Sequence, residues 1–122
     1  MRIISGKARG TKLFTLDGEN TRPTLDRVKE PLFSILMNEI PEAKVLDLFA
    51  GSGALGLEAV SRGAESVVLC DNSRDAIKVI NNNLAKTKLD IYAEIINDDY
   101  KRCLKKLQGR KFDYSFGLVL LD

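Results

Sequence analysis

Val45-Leu46-Asp47-Leu48-Phe49-Ala50-Gly51-Ser52-Gly53-Ala54-Leu55-Gly56 decides how this chain folds. A short apolar run ends, glycines turn the chain, and a helix-forming run begins. Glycine permits the sharp turn and lets a ligand approach bare backbone. The start of the helix leaves N–H groups without intrahelical partners. In open α/β sheets, ligands bind at this place, outside the carboxyl ends of the strands.

The flanking sequence repeats the strand-then-helix pattern. Val45–Phe49 reads as a strand and Ala54–Arg62 as a helix, with Gly63 at its C-terminal stop. Ser66–Cys70 is a second strand, and Ser73 caps a helix that runs to about Lys86. Ile91–Ile96, Tyr100–Leu107 and Phe112–Leu121 follow as strand, helix and strand. Near-continuous apolar strands alternating with helices predict an α/β fold: a parallel sheet with helices on both faces. Upstream, Arg2-Ile3-Ile4 and Lys12-Leu13-Phe14 flank two glycines and predict an N-terminal β-hairpin over residues 1–16. A polar connector, Asp17 to Pro23, leads to a helix capped by Thr24. Its apolar face is expected to hold Val28, Leu32, Phe33, Leu36 and Met37, with a kink at Pro31 and a stop at Pro41.

Composition narrows the chemistry. The 122 residues are 44% hydrophobic and 30% charged, ordinary for one soluble domain. No apolar run reaches membrane-spanning length and the N-terminus has no signal-peptide pattern, so a cytoplasmic location is expected. Cys70 and Cys103 lie 33 residues apart, outside any metal-ligand spacing, and are expected to be free buried thiols. The chain contains no histidine. Histidine-based serine triads are excluded, and no metal site is expected. Net charge is +2 but uneven: +3 over residues 1–36, −5 over 37–100 and +4 over 101–122. A basic start beside an acidic middle suits a polyanion-facing surface next to a site for a neutral or cationic ligand.

Gly51-x-Gly53-x-x-Gly56 fits the dinucleotide fingerprint. Asp47 argues against it, because a pyrophosphate would meet that carboxylate with repulsion. A ligand carrying a sulfonium and an ammonium group would be attracted instead. Asp71 closes the second strand 24 residues after Asp47, where a carboxylate can accept hydrogen bonds from both ribose hydroxyls. It reads alternatively as a cap for the next helix. Asp98 and Asp99 follow the third strand, as ligand contacts or as a helix-capping pair. Phe49 reads either as a cofactor neighbour or as core filler.

The segment D-x-F-x-G-x-G resembles the first motif of class I methyltransferases. The resemblance sharpens with Arg2-Ile3-Ile4-x-Gly6-Lys7-x-Arg9-Gly10, Thr21-Arg22-Pro23-Thr24-x-Asp26-Arg27-Val28, and Leu46 through Ala64. Together with Asn83-Leu84, these blocks resemble the bacterial 16S ribosomal RNA guanine-N2 methyltransferase family over about residues 1–113. The resemblance implies a Rossmann-like class I methyltransferase domain over residues 1–122, with 1–23 as an RNA-contacting extension. It implies methyl transfer from S-adenosyl-L-methionine to guanine N2 in small-subunit rRNA. Expected cofactor contacts are Asp47, Phe49, Gly51, Gly53, Asp71, Asn72 and Asp99. Expected RNA contacts are Lys7, Arg9, Lys12, Arg22 and Arg27, which would neutralise phosphates without reading sequence.

The family's next motif is Asp/Asn-Pro-Pro-Tyr, which in relatives orients the target amino group and stacks on the base. This chain reads Phe112-Asp113-Tyr114-Ser115-Phe116-Gly117-Leu118-Val119-Leu120-Leu121-Asp122 there, and Asp122 is a possible remnant of the motif's first residue. The C-terminal strands of the family's sheet are therefore expected to be missing. Cofactor binding is expected to be weak or absent, and methyl transfer slight or nil. The fourth strand would be an apolar edge open to pairing with a second copy as a homodimer. The rival readings are a non-catalytic RNA-binding remnant and a methyltransferase for another substrate.

Overall fold

The computed structural model describes residues 1–16, 23–109 and 116–121; Arg22 and Asp122 lie outside them. Four parallel strands form one sheet: β1 (Lys44–Asp47), β2 (Ser66–Asp71), β3 (Ala93–Asn97) and β4 (Leu118–Leu120). Their spatial order is β3-β2-β1-β4. The chain steps outward from β1 to β3, then returns to the other side of β1. Register is continuous across the sheet, with Asp47 beside Leu69 and Leu120, and Asp71 beside Asn97. The carboxyl ends of β1, β2 and β3 therefore share one rim, and β1 flanks the point where strand order reverses. Ligands bind at such a reversal in open α/β sheets.

Successive strand residues face opposite layers. Val45, Val67 and Leu69 point into a core built with α1 (Pro23–Ile35), α2 (Ala54–Ser61) and α3 (Arg74–Thr87). Leu46, Val68 and Cys70 point the other way, onto Cys103 and Leu107 of α4 (Tyr100–Gln108). Both cysteines are free and buried. All eight residues of α2 are buried, because the helix lies between the sheet on one side and α1 with the N-terminal segment on the other. Gly56 allows that depth: a Cβ there would meet Leu69 Cδ2 at 2.6 Å and Val67 Cγ2 at 3.0 Å.

Several expected boundaries shift. The N-terminal hairpin holds no continuous strand among the described residues; an isolated antiparallel bridge joins Arg2 to Lys12, with Ile3 N–H donating to the Thr11 carbonyl. Helix α1 begins at Pro23, before Thr24, so Thr24 is inside the helix; proline suits a first helical position. The helix runs through Pro31 and ends at Ile35, well before Pro41. Its inward stripe also differs from the expected one. Phe33 is fully buried and Leu32 and Leu36 partly so, but Val28 and Met37 are exposed, and Lys29 takes the inward place. The third strand starts at Ala93, because Asp90–Tyr92 forms a one-turn 3-10 helix in which Tyr92 N–H donates to the Leu89 carbonyl. Strand β4 is described only from Leu118, and it closes one edge of the sheet with Val119 exposed. Among the described residues no helix is long and apolar enough to cross a membrane.

Lys29 can lie inside because Glu58 of α2 meets it. The Glu58 carboxylate is fully buried. Its Oε1 accepts from Ile4 N–H at 2.9 Å and lies 3.0 Å from Lys29 Nζ. Its Oε2 accepts from Ser5 N–H at 3.1 Å and from Arg62 Nε at 2.8 Å. Lys29 Nζ also donates to the Arg2 carbonyl at 3.0 Å. One carboxylate thus joins α2, α1 and the N-terminal segment. Burial pushes its pKa up, but the Arg62 hydrogen bond, the Ile4 amide and the Lys29 charge together outweigh burial and hold it below the ordinary carboxylate value.

A carboxylate with a lowered folded pKa contributes stability above its unfolded pKa of about 4.3 and loses it as pH falls through the folded value. Glu58→Gln removes the buried charge that faces both Lys29 and Arg62, and is expected to cost about 3–5 kcal/mol at neutral pH. The difference from the parent, read from urea unfolding midpoints, should narrow below about pH 4; a pH-independent difference would reject the assignment. Gly56→Ala, which must push β2 away from α2, should cost about 1–3 kcal/mol in the same assay.

Candidate cofactor and RNA sites

The rim begins at Asp47, the last residue of β1. The backbone then leaves the sheet: Leu48 N–H donates to the Leu120 carbonyl and Ala50 N–H to the Cys70 carbonyl. Gly51 and Gly53 turn the chain with φ of 59° and 82°, in the left-handed region where a side chain is strained. Gly53 is the N-cap of α2 and makes no side-chain cap, so backbone alone forms the mouth of that helix.

Asp71, at the end of β2, organises the loop. Its Oδ2 accepts from Gly51 N–H and its Oδ1 from Ser73 N–H, each at 2.9 Å. Each oxygen keeps further acceptor capacity. Asp71 also lines a cavity of about 110 Å³ with Leu48, Phe49, Asn72, Asp98, Asp99 and Tyr100. Phe49 is 44% exposed and Tyr100 42%, with ring centroids 5.6 Å apart at 45°. Phe49 is therefore part of the cavity wall, not core filler.

Asp99 caps α4, its Oδ1 accepting from Arg102 N–H at 2.9 Å, so the capping role weighed in the sequence is real. Its carboxylate still lines the cavity. Asp98 accepts from Asp99 N–H at 2.9 Å and lies 3.2 Å from Lys106 Nζ. The Asp99 amide, helped by Lys106 and Arg102 against a smaller opposing effect of burial, holds the Asp98 carboxyl below its ordinary range. Asp47 is placed differently from the others. It is 1% exposed, and its Oδ2 lies under α2, 3.4 Å from where a Gly56 Cβ would be. It is a side chain held beneath the glycine loop, not one on the cavity surface.

These groups fit an adenosine-type ligand with cationic substituents. Acceptor oxygens sit at a strand end, exposed aromatic faces stand beside them, and the carboxylates of Asp71, Asp98 and Asp99 share the cavity. A pyrophosphate would meet repulsion from these carboxylates. Tyr100 and Leu48 were not singled out in the sequence. The signal for Tyr100 was its place directly after the acidic pair at a strand-to-helix turn.

The expected RNA contacts divide. Arg9 and Lys12 line a second cavity, about 840 Å³, together with Arg2, Met1, Ile3 and Glu30 among its walls. Arg2 was not expected there; its bridge to Lys12 brings the two side chains to one place. Lys7 lies elsewhere, on a cavity of about 360 Å³ shared with Arg62 and Met37, its Nζ 4.3 Å from the Tyr92 ring centroid. Arg27 is exposed on α1.

The family described as Conserved hypothetical protein 95 matches residues 1–118. The Ribosomal RNA small subunit methyltransferase D of Haemophilus influenzae is 42% identical over 123 aligned residues, covering all of this chain and 62% of its own length. The chain spans between half and two thirds of the first curated relatives it matches. Among solved structures, the Escherichia coli protein yhhF superposes with a TM-score of 0.75 at 43% identity, covering 85% of this chain and 56% of that one. The M. jannaschii tRNA m1G37 methyltransferase, 20% identical, shares the fold with a TM-score of 0.62 over 84% of this chain and 29% of its own. With its glycine loop, its strand order and the family match over nearly its whole length in agreement, this chain belongs to the Conserved hypothetical protein 95 family and has the class I methyltransferase fold.

Proposed function

We propose that this chain supplies the cofactor-binding and RNA-docking surfaces for S-adenosylmethionine-dependent methylation of guanine N2 in small-subunit ribosomal RNA. The observation that carries the reading is Asp71: a strand-end carboxylate pinned by Gly51 and Ser73 amides, opening onto a cavity walled by two exposed aromatic rings. Relatives at 36–46% identity bear the name Ribosomal RNA small subunit methyltransferase D, which supports the substrate class. The bound cofactor would supply an activated methyl group, so the protein's share is binding and orientation.

In this reading Asp71 accepts the ribose hydroxyls, and Phe49 and Tyr100 flank the purine. Asp99 faces the exocyclic amine, and Asn72 closes the exposed rim. Gly51 and Gly53 present bare backbone to the methionine portion. Asp47 acts through its field from under the loop, favouring a positively charged ligand above it. Arg9 and Lys12, joined by Arg2, hold phosphates in the groove beside α1. Lys7, on its own cavity with Arg62, and the exposed Arg27 would add separate phosphate contacts.

Titration with S-adenosylhomocysteine, followed by amide shifts in NMR so that weak binding registers, should move Gly51, Asp71, Asn72 and Tyr100. NAD at the same concentration should not. Asp71→Ala should lose two hydroxyl contacts of about 0.5–1.5 kcal/mol each, weakening binding about 5- to 150-fold. Absence of shifts at saturating ligand would defeat the cofactor reading.

RNA binding should fall with salt, and Arg9→Ala with Lys12→Ala should lower the log–log slope by about 0.7–0.9 per phosphate contact removed. An unchanged slope would remove these residues from the interface. Methylated small-subunit RNA, digested to nucleosides, should contain N2-methylguanosine if guanine N2 is the target.

A further inference from the structure

The glycine loop is held at a second point, far from Asp71 in sequence. Asn83 of α3 is fully buried. Its Oδ1 accepts from Phe14 N–H at 2.7 Å, and its Nδ2 donates to the Phe14 carbonyl at 3.0 Å. The same Nδ2 donates to the Ser52 carbonyl at 2.9 Å. Three backbone groups, one donor and two acceptors, fix which way the amide points. Only an amide supplies that set: one acceptor and two N–H donors. Phe14 lies in the N-terminal segment that carries Arg2, Arg9 and Lys12. Ser52 is the residue between the two left-handed glycines.

We infer that Asn83 is a positioning residue that ties the cofactor loop to the N-terminal segment, so that ordering either one favours the other. Gly51 is fixed through its amide to Asp71, and Ser52 through its carbonyl to Asn83. Motion of the Phe14 backbone must strain or break the bond shared with Ser52. By linkage, a ligand that steadies the loop steadies Phe14, and an anionic polymer that steadies residues 2–12 raises cofactor affinity by the same factor. The inference rests on the proposed cofactor reading for its ligand, and on the hydrogen bonds alone for the tie itself.

Amide hydrogen exchange tests it. In the unmodified chain, saturating S-adenosylhomocysteine should slow exchange at Phe14, a residue outside the cofactor cavity. Asn83→Asp keeps the size and the acceptor of asparagine but cannot make both donations in either protonation state. It should speed exchange at both Gly53 and Phe14 about tenfold without ligand, weaken S-adenosylhomocysteine about tenfold, and abolish the ligand effect on Phe14. Faster exchange at Gly53 with Phe14 unchanged would reduce Asn83 to a loop support and overturn the tie. So would ligand affinity within twofold of the parent. Should Asn83→Asp not fold, the unmodified chain decides: bound ligand with unaltered Phe14 exchange rejects the inference. If no ligand binds at all, the cofactor reading fails, while exchange in the ligand-free variant still judges the tie.

Discussion

The structure depends on a buried charge being compensated. Glu58 sits in a helix with no solvent-facing side, between sheet and N-terminal segment. An isolated carboxylate there would be neutralised or the helix displaced. Lys29, Arg62 and the Ile4 and Ser5 amides together make the ionised form the favoured one. The consequence is geometric. An N-terminal segment without a regular strand among its described residues is fixed against α2, and the groove formed with α1 is fixed with it. Burial of Ile3 and Leu13 then adds apolar packing that a free segment could not keep.

Buried polar groups at this face do more than stabilise. Apolar contacts tolerate sliding, whereas directed hydrogen bonds specify position. The N-terminal segment is bonded through Ile4, Ser5, Ala8 and Phe14 to Glu58, Ser61 and Asn83, all on α2 or α3. Those two helices begin at the loops beside the acidic cavity. The basic groove and the acidic cavity are therefore built on shared supports.

Much of this was legible in the sequence, and the failures have physical causes. Strand and helix identities followed from apolar periodicity, and the cap at Ser73 from side-chain chemistry. The inward face of α1 did not follow, because a lysine reads as solvent-facing unless its counter-charge is known, and Glu58 lies 29 residues away. Glu58 itself carried a signal: one acid in a helix otherwise apolar all round. Asp71, Asn72 and Phe49, each named from the sequence as a candidate contact, line one cavity. Asp47, also at a strand end, does not, because alternation points its side chain under α2. Asn83 was visible only as part of a resemblance. Its partners lie 31 and 69 residues away, beyond any local pattern.

The position of Asp47 changes how the acidic rim works. A carboxylate on the cavity surface would be hydrated and screened in the absence of ligand. Beneath the loop, Asp47 is shielded from water, and in the proposed cofactor reading a cation above the turn would favour its ionised form. The α2 N-terminus, by contrast, presents partial positive charge at the same place. The two opposed fields favour a ligand that offers hydrogen-bond acceptors to the loop amides and carries net positive charge nearby. A zwitterionic amino-acid portion on a sulfonium centre meets both conditions, whereas a pyrophosphate meets only the first. In the proposed cofactor reading, selection against dinucleotides would rest on the carboxylate at the end of β1, since the glycines themselves do not discriminate.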